Sequence, residues 1–165
     1  MAGQVLLGSA TEMVAALRSG RVSALELTAA VLERIDAVDG QVNAMASVRR
    51  DAALRDAAAA DSQRTPRGPL HGLPVTVKDA FHVAGLPTTW GNPAWADAVA
   101  DTDATVVRRL LNAGAILVGT TNVALMLGDF GQTRTRYTAA PAIPTTCPEV
   151  SEAPRAGRPP RWPPA

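Results

Sequence analysis

The chain has 165 residues, 47% of them hydrophobic, and a formal net charge of +1, enough apolar content for one packed domain and too little basic surplus for a nucleic-acid binder. One cysteine, Cys147, excludes an intrachain disulfide, and neither it nor His71 and His82 has metal-ligand spacing, so no metal or other cofactor is expected. No secretory signal pattern opens the chain and no apolar run approaches the ~20 residues of a membrane span, which sets a cytoplasmic protein without a membrane partner as the expectation.

In chain order, Ser9-Ala10-Thr11-Glu12 has the form of a capping box and opens a short amphipathic helix that Gly20 closes. Ser23-Ala24-Leu25-Glu26 repeats the device. The helix that follows presents Leu27, Val31, Leu32, Ile35 and Val38 as one stripe, with Gly40 as its stop. Val42 to Ala46 reads as extended. Arg49 to Asp61 is an alanine-rich helix whose only large apolar residue is Leu54, which predicts a surface position.

A loop with Pro66 and Pro69 then leads to a strand, Leu73 to Val77, that ends at Lys78. Phe81 to Trp95, punctuated by Gly85, Pro87, Gly91 and Pro93, predicts a long ordered loop beside it. Asp103 is positioned to cap a helix running through Leu111, with Val106, Val107, Leu110 and Leu111 inward and Ala113-Gly114 at its end. Ala115 to Gly119 is a buried strand, followed by Thr120-Thr121-Asn122 and a further helical pattern. Strand, helix and apolar strand in that order predict a parallel pair in an α/β sheet with a right-handed crossover.

Lys78 is the one lysine among sixteen basic residues. Arginine cannot lose its proton under ordinary conditions, whereas a lysine at the end of a buried strand is desolvated towards its neutral form and can act as base or nucleophile. The alternative is a solvated loop lysine. His71 reads as a turn residue in preference to a base, and Cys147, flanked by Pro144 and Pro148, as no nucleophile. Asp79 either caps the segment after the strand or orients Lys78. Trp90, Trp95 and Met126 either line an acyl pocket or pack, and packing is the expectation.

Three ordered blocks carry a resemblance: Gly68-Pro69-Leu70-His71-Gly72-Leu73-Pro74-Val75-Thr76-Val77-Lys78-Asp79, then Gly85-Leu86-Pro87-Thr88-Thr89-Trp90-Gly91, then Ala113-Gly114-Ala115-Ile116-Leu117-Val118-Gly119-Thr120-Thr121-Asn122. Together they resemble the amidase signature family over roughly residues 5 to 130. The resemblance implies an α/β fold, here the incomplete N-terminal portion of a mixed sheet wrapped in helices. It also implies hydrolysis of a small carboxamide through a serine, a second serine in a cis peptide bond and a lysine that Lys78 matches. The family's serines stand in a Gly-Gly-Ser-Ser-Gly-Gly stretch and beyond it. Here Ser9, Ser19, Ser23, Ser47, Ser62 and Ser151 all lie outside any glycine-rich loop, so inactivity of the isolated chain is expected. A non-catalytic fragment that docks with another polypeptide, or self-associates through exposed sheet edges, is the alternative. A nucleotide-binding module is disfavoured, because no phosphate-cradling glycine loop follows the first strand.

From about Gly131 the pattern ends. Seven prolines from Pro144 on and five arginines from Arg134 on carry no helix or strand period, so 131–165 is expected to be an unstructured tail behind an N-terminal amidase part, 1–130. Codons shifted by one base through Ser151 to Gly157 permit Gly-Gly-Ser-Ser-Gly-Gly, and the Trp162 to Pro163 step gives alanine without choice. A frameshift after about Phe130 is therefore expected.

Overall fold

The computed structural model describes residues 2–128, so the expected unstructured, out-of-frame tail, with Cys147, lies outside the described residues. Three strands form one mixed sheet in the order β1-β3-β2, where β1 is Met45–Val48, β2 Pro74–Lys78 and β3 Ile116–Thr121. β2 runs parallel to β3, as the strand, helix, strand order predicts, and β1 runs antiparallel to it. This is the mixed α/β architecture expected. No helix among the described residues is long and apolar enough to cross a membrane.

Two of the helices start at the capping boxes read from the sequence. Helix α1 (Ala2–Leu6) precedes α2 (Ala10–Arg18), whose N-cap Ser9 forms the complete capping box with Glu12. Helix α3 (Ala24–Val42) opens on the second complete box, Ser23 with Glu26. Its N-terminus is capped a second time from outside: the Asp61 carboxylate accepts the amides of Ala24 (2.7 Å) and Leu25 (2.9 Å).

Gly40 does not stop α3. The helix runs through it to Val42, and the stop is Asn43, left-handed at φ 52°, while the Asp39 side chain accepts the amides of Ala44 (2.7 Å) and Met45 (3.1 Å). A glycine permits a helix end but does not compel one; here the groups that terminate the helix lie further on.

Helix α4 (Arg50–Asp61) corrects a second expectation, that of a surface helix. Ala53, Ala57 and Ala60 are buried with Ala24 of α3 and Ile116 of β3 in one apolar cluster. Methyl side chains let α4 approach its neighbours closely, so burial is achieved without large side chains, a case that a count of bulky residues overlooks. A second cluster joins Val77 of β2, Leu117 of β3 and Val83 to Val107 of α5 (Thr105–Asn112). Asp103 does not cap α5. The N-cap is Ala104, without a side-chain bond, and Asp103 instead accepts the amide of Ala84 at 2.8 Å, tying the long loop to the helix entrance. Val106, expected to face inward, is exposed.

Two glycines fix how these pieces meet. Gly114 takes φ 91° at the end of α5, and a Cβ there would sit 2.8 Å from the Cα of His71. The two chain segments are also bonded, Leu70 N–H to Ala113 O and Gly72 N–H to Gly114 O, both at 2.9 Å. Gly119 lies in the middle of the sheet, where a Cβ would fall 2.0 Å from the carbonyl oxygen of Ser47. Each pairing slips once, the β2 pairing beside Gly119 and the β1 pairing further along β3, opposite Thr120 and Thr121. Val75 faces Leu117 but Thr76 faces Gly119, and on the other side Ser47 faces Thr120 while Met45 faces Thr121. The slip restores register beyond it and sets Lys78 opposite Thr121.

The candidate active site at the carboxyl ends of β2 and β3

Because β2 and β3 are parallel, their carboxyl ends open on the same side of the sheet, the usual location of a ligand crevice in an α/β fold. Lys78 is the last residue of β2 and its side chain is exposed. The expected desolvation is therefore not provided by residues 2–128. Strand β2 is an edge of the described sheet, so only one flank of Lys78 is walled by a neighbouring strand.

The next residue is treated in the opposite way. Asp79 is 2% exposed, and its carboxylate is engaged by Thr89, whose amide donates at 3.0 Å and whose hydroxyl donates a short bond. Asp79 N–H donates to Thr121 O at 3.0 Å and Asp79 O accepts from Trp90 N–H at 3.1 Å. Thr89 Oγ1 in turn accepts the Gly91 amide at 3.0 Å. These bonds close the segment after β2, with the Asp79 carboxylate engaged by the loop. A buried carboxylate is costly unless hydrogen bonds replace its water, and here they come from that loop.

The 88–92 loop also grips the segment after β3. Met126 N–H donates to Trp90 O at 2.7 Å, and Asn92 Nδ2 approaches Met126 Sδ at 3.8 Å. Trp90, Met126 and Leu127 all have positive φ, at 52°, 51° and 59°, which costs backbone energy in non-glycine residues and is found where surrounding bonds over-determine the chain. The helical pattern expected after Asn122 takes the form of a single 3₁₀ turn, Leu125–Leu127, interrupted by that left-handed Met126. Around this rim Phe81, Trp95, Leu125, Met126 and Leu127 are exposed. Packing is the expectation for Trp90, Trp95 and Met126; Trp90 is half-buried, while Trp95 and Met126 are exposed.

His71 is a turn residue with both ring nitrogens in use. Nδ1 accepts the Arg67 amide at 3.1 Å, and Nε2 lies 3.2 Å from Ala60 O, which can only accept, so the proton sits on Nε2. No group of three metal-ligating side chains occurs among the described residues. Sequence reasoning marks Lys78 and Asp79 but overlooks Thr89. The signal is a small hydroxyl residue just before Trp90-Gly91, although nothing in the sequence alone pairs it with Asp79.

Comparison with known proteins follows the same outline. The family profile described as Amidase matches residues 26–149. An acylamidase of Rhodococcus erythropolis is 44% identical over 117 residues, which is 69% of this chain and 24% of that protein. An indoleacetamide hydrolase of Bradyrhizobium diazoefficiens is also 44% identical, over 73% of this chain and 24% of its own length. The native peptide amidase of Stenotrophomonas maltophilia superposes with a TM-score of 0.67 at 34% identity, covering 72% of this chain and 25% of that one. The chain thus spans about a quarter of the length of the relatives it matches.

Proposed function

The chain belongs to the amidase family, and from that premise we propose that Lys78 is the lysine of a Ser-cisSer-Lys site for carboxamide hydrolysis that this chain does not complete by itself. The observation that supports this reading is the place of Lys78: the sole lysine, last in β2, beside Thr121 at the open carboxyl ends of two parallel strands. In the complete arrangement, neutral Lys78 accepts a proton through the bridging serine as the nucleophilic serine attacks the amide carbonyl. Backbone amides hold the oxyanion, the amine departs, and water releases the carboxylic acid. None of Ser9, Ser19, Ser23, Ser47 and Ser62 falls in the sequence blocks that form this rim. The proposed substrate class is a small carboxamide, met in the cytoplasm.

The test has two arms. The purified chain releases no ammonia from simple carboxamides; ammonia release that Lys78→Ala abolishes overturns its incompleteness. In a chimera, residues 26–128 replace the matching quarter of the Rhodococcus acylamidase, and Lys78→Ala then lowers turnover at least about a thousandfold. Turnover that survives the substitution overturns the role of Lys78.

A second reading, a non-catalytic fragment that docks with another polypeptide or with itself, is favoured by the edge position of β2 and by the exposed Phe81, Trp95 and Leu125 to Leu127. A stable monomer by light scattering counts against it. We further propose that residues 131–165 are out of frame; the family profile, which matches on to residue 149, counts against this, and the DNA through the codons for Phe130 to Arg136 decides it: a shifted frame that does not encode the glycine and serine run removes the idea.

A further inference from the structure

The geometry assigns Asp79 as the positioning residue for Lys78, acting through a clasp on Thr89 and not through contact with the lysine. Along a strand, successive side chains leave on opposite faces, so Lys78 and Asp79 diverge: one is exposed and the other 2% exposed. Asp79 thus influences Lys78 through the backbone they share. That backbone is held on three sides. Its amide is bonded to Thr121 of β3, its carbonyl to Trp90, and its carboxylate to the amide and hydroxyl of Thr89. Thr89 passes the constraint on by accepting the Gly91 amide, and Trp90 by accepting the Met126 amide.

The consequence is specific to the end of an edge strand. Strand ends fray, and among the described residues β2 has a neighbour on one side only, so without the clasp Lys78 would belong to the loosest part of the described sheet. With it, the residue after Lys78 is bonded through its amide, its carbonyl and its carboxylate. The left-handed φ of Trp90 is explained in the same way: it allows Thr89 to bond the Asp79 carboxylate while the next amide turns back to the Asp79 carbonyl. What the clasp needs from residue 79 is a short side chain with two polar atoms, and from residue 89 a hydroxyl.

The inference rests on the catalytic reading of Lys78 given above, but its test needs no turnover, so the two can fail separately. Because the chain has one lysine, labelling with isotopic lysine gives one backbone amide resonance, that of Lys78. In the full chain this resonance is single and sharp. It stays so in Asp79→Asn, where the amide still accepts from the Thr89 N–H and meets its hydroxyl, and in Thr89→Ser. It broadens or splits in Thr89→Val and Asp79→Ala at temperatures where circular dichroism shows the chain still folded. A merely structural role lowers the melting temperature of Thr89→Val and leaves the Lys78 resonance sharp, and that result overturns the inference. If the disruptive variants do not fold, the unsubstituted chain supplies the answer: the amide protons of Trp90 and Gly91 exchange as slowly as those within β2, and exchange at the rate of an open loop overturns it.

Discussion

Where α3 and α4 cover the sheet, Ala53 and Ala57 have no exposed surface and the start of α3 is capped by Ser23 and Asp61; at the carboxyl ends of β2 and β3, Phe81 is 43% and Met126 47% exposed, beside an uncovered Lys78. Both regions are held by hydrogen bonds and both contain buried polar groups. They differ in what lies against them. The helical side is closed by small side chains of α3 and α4 against β3, whereas the rim leaves large side chains exposed among the described residues.

Substitutions can break this contrast or sharpen it. The largest effect is expected at Gly119→Ala. Its Cβ would lie 2.0 Å from Ser47 O, so β1 must separate from β3, at more than about 4 kcal/mol in denaturant unfolding. On the closed side, Ala57→Leu forces α4 away from α3 and costs about 1–3 kcal/mol. Asp61→Ala removes the external cap on α3 but leaves the Ser23 box, for a loss of about 1 kcal/mol in the same measurement. At the rim, Phe81→Ser combined with Met126→Ser changes stability by no more than about 0.5 kcal/mol, because neither side chain is enclosed, and reduces self-association in light scattering. A loss there comparable to that of Ala57→Leu would mean that the rim is packed and the contrast false.

The smallest effect is a pH dependence far from both regions. Glu12 is held below the usual carboxylate range, first by the Ser9 backbone amide and then by the Ser9 hydroxyl. A depressed folded value stabilises the chain above the ordinary glutamate value, 4.5, and this is lost as pH falls through the lower folded value. Glu12→Gln flattens that part of an acid titration followed by circular dichroism. An unchanged titration would show that ionisation of Glu12 is not linked to folding.

Much of this is legible in the sequence alone. Both capping boxes are local codes in which four consecutive residues contain the whole interaction, and both form as read. The parallel pairing of β2 and β3 follows from the order of elements. What escapes is whatever depends on a partner distant in sequence. Asp103 reads as a cap because it precedes a helix, yet it serves Ala84, which no local pattern encodes. The exterior reading of α4 fails because alanine signals propensity in a sequence and close approach in a structure. At the site Lys78 stands out by being the sole lysine, while Thr89 has no such mark and is recognised only through its bonds to Asp79. The exposure of Lys78 escapes for another reason: the desolvation argument assumes a strand walled on both flanks, and β2 is an edge.

The position of β1 in the link between α3 and α4 has a consequence for the order of folding. β1 pairs only with β3, so as the chain is synthesised it must wait until α4, β2 and α5 have all emerged. During that interval α3 and α4 can already pack as a helical hairpin, latched at its far end by Asp61 on the first amides of α3. The waiting strand is then carried on a formed hairpin and not on a free coil, which shortens the loop that β3 must close when it arrives. Among the described strands, β1 and β2 can join one sheet only after β3 has emerged, and Lys78 takes its place opposite Thr121 only then.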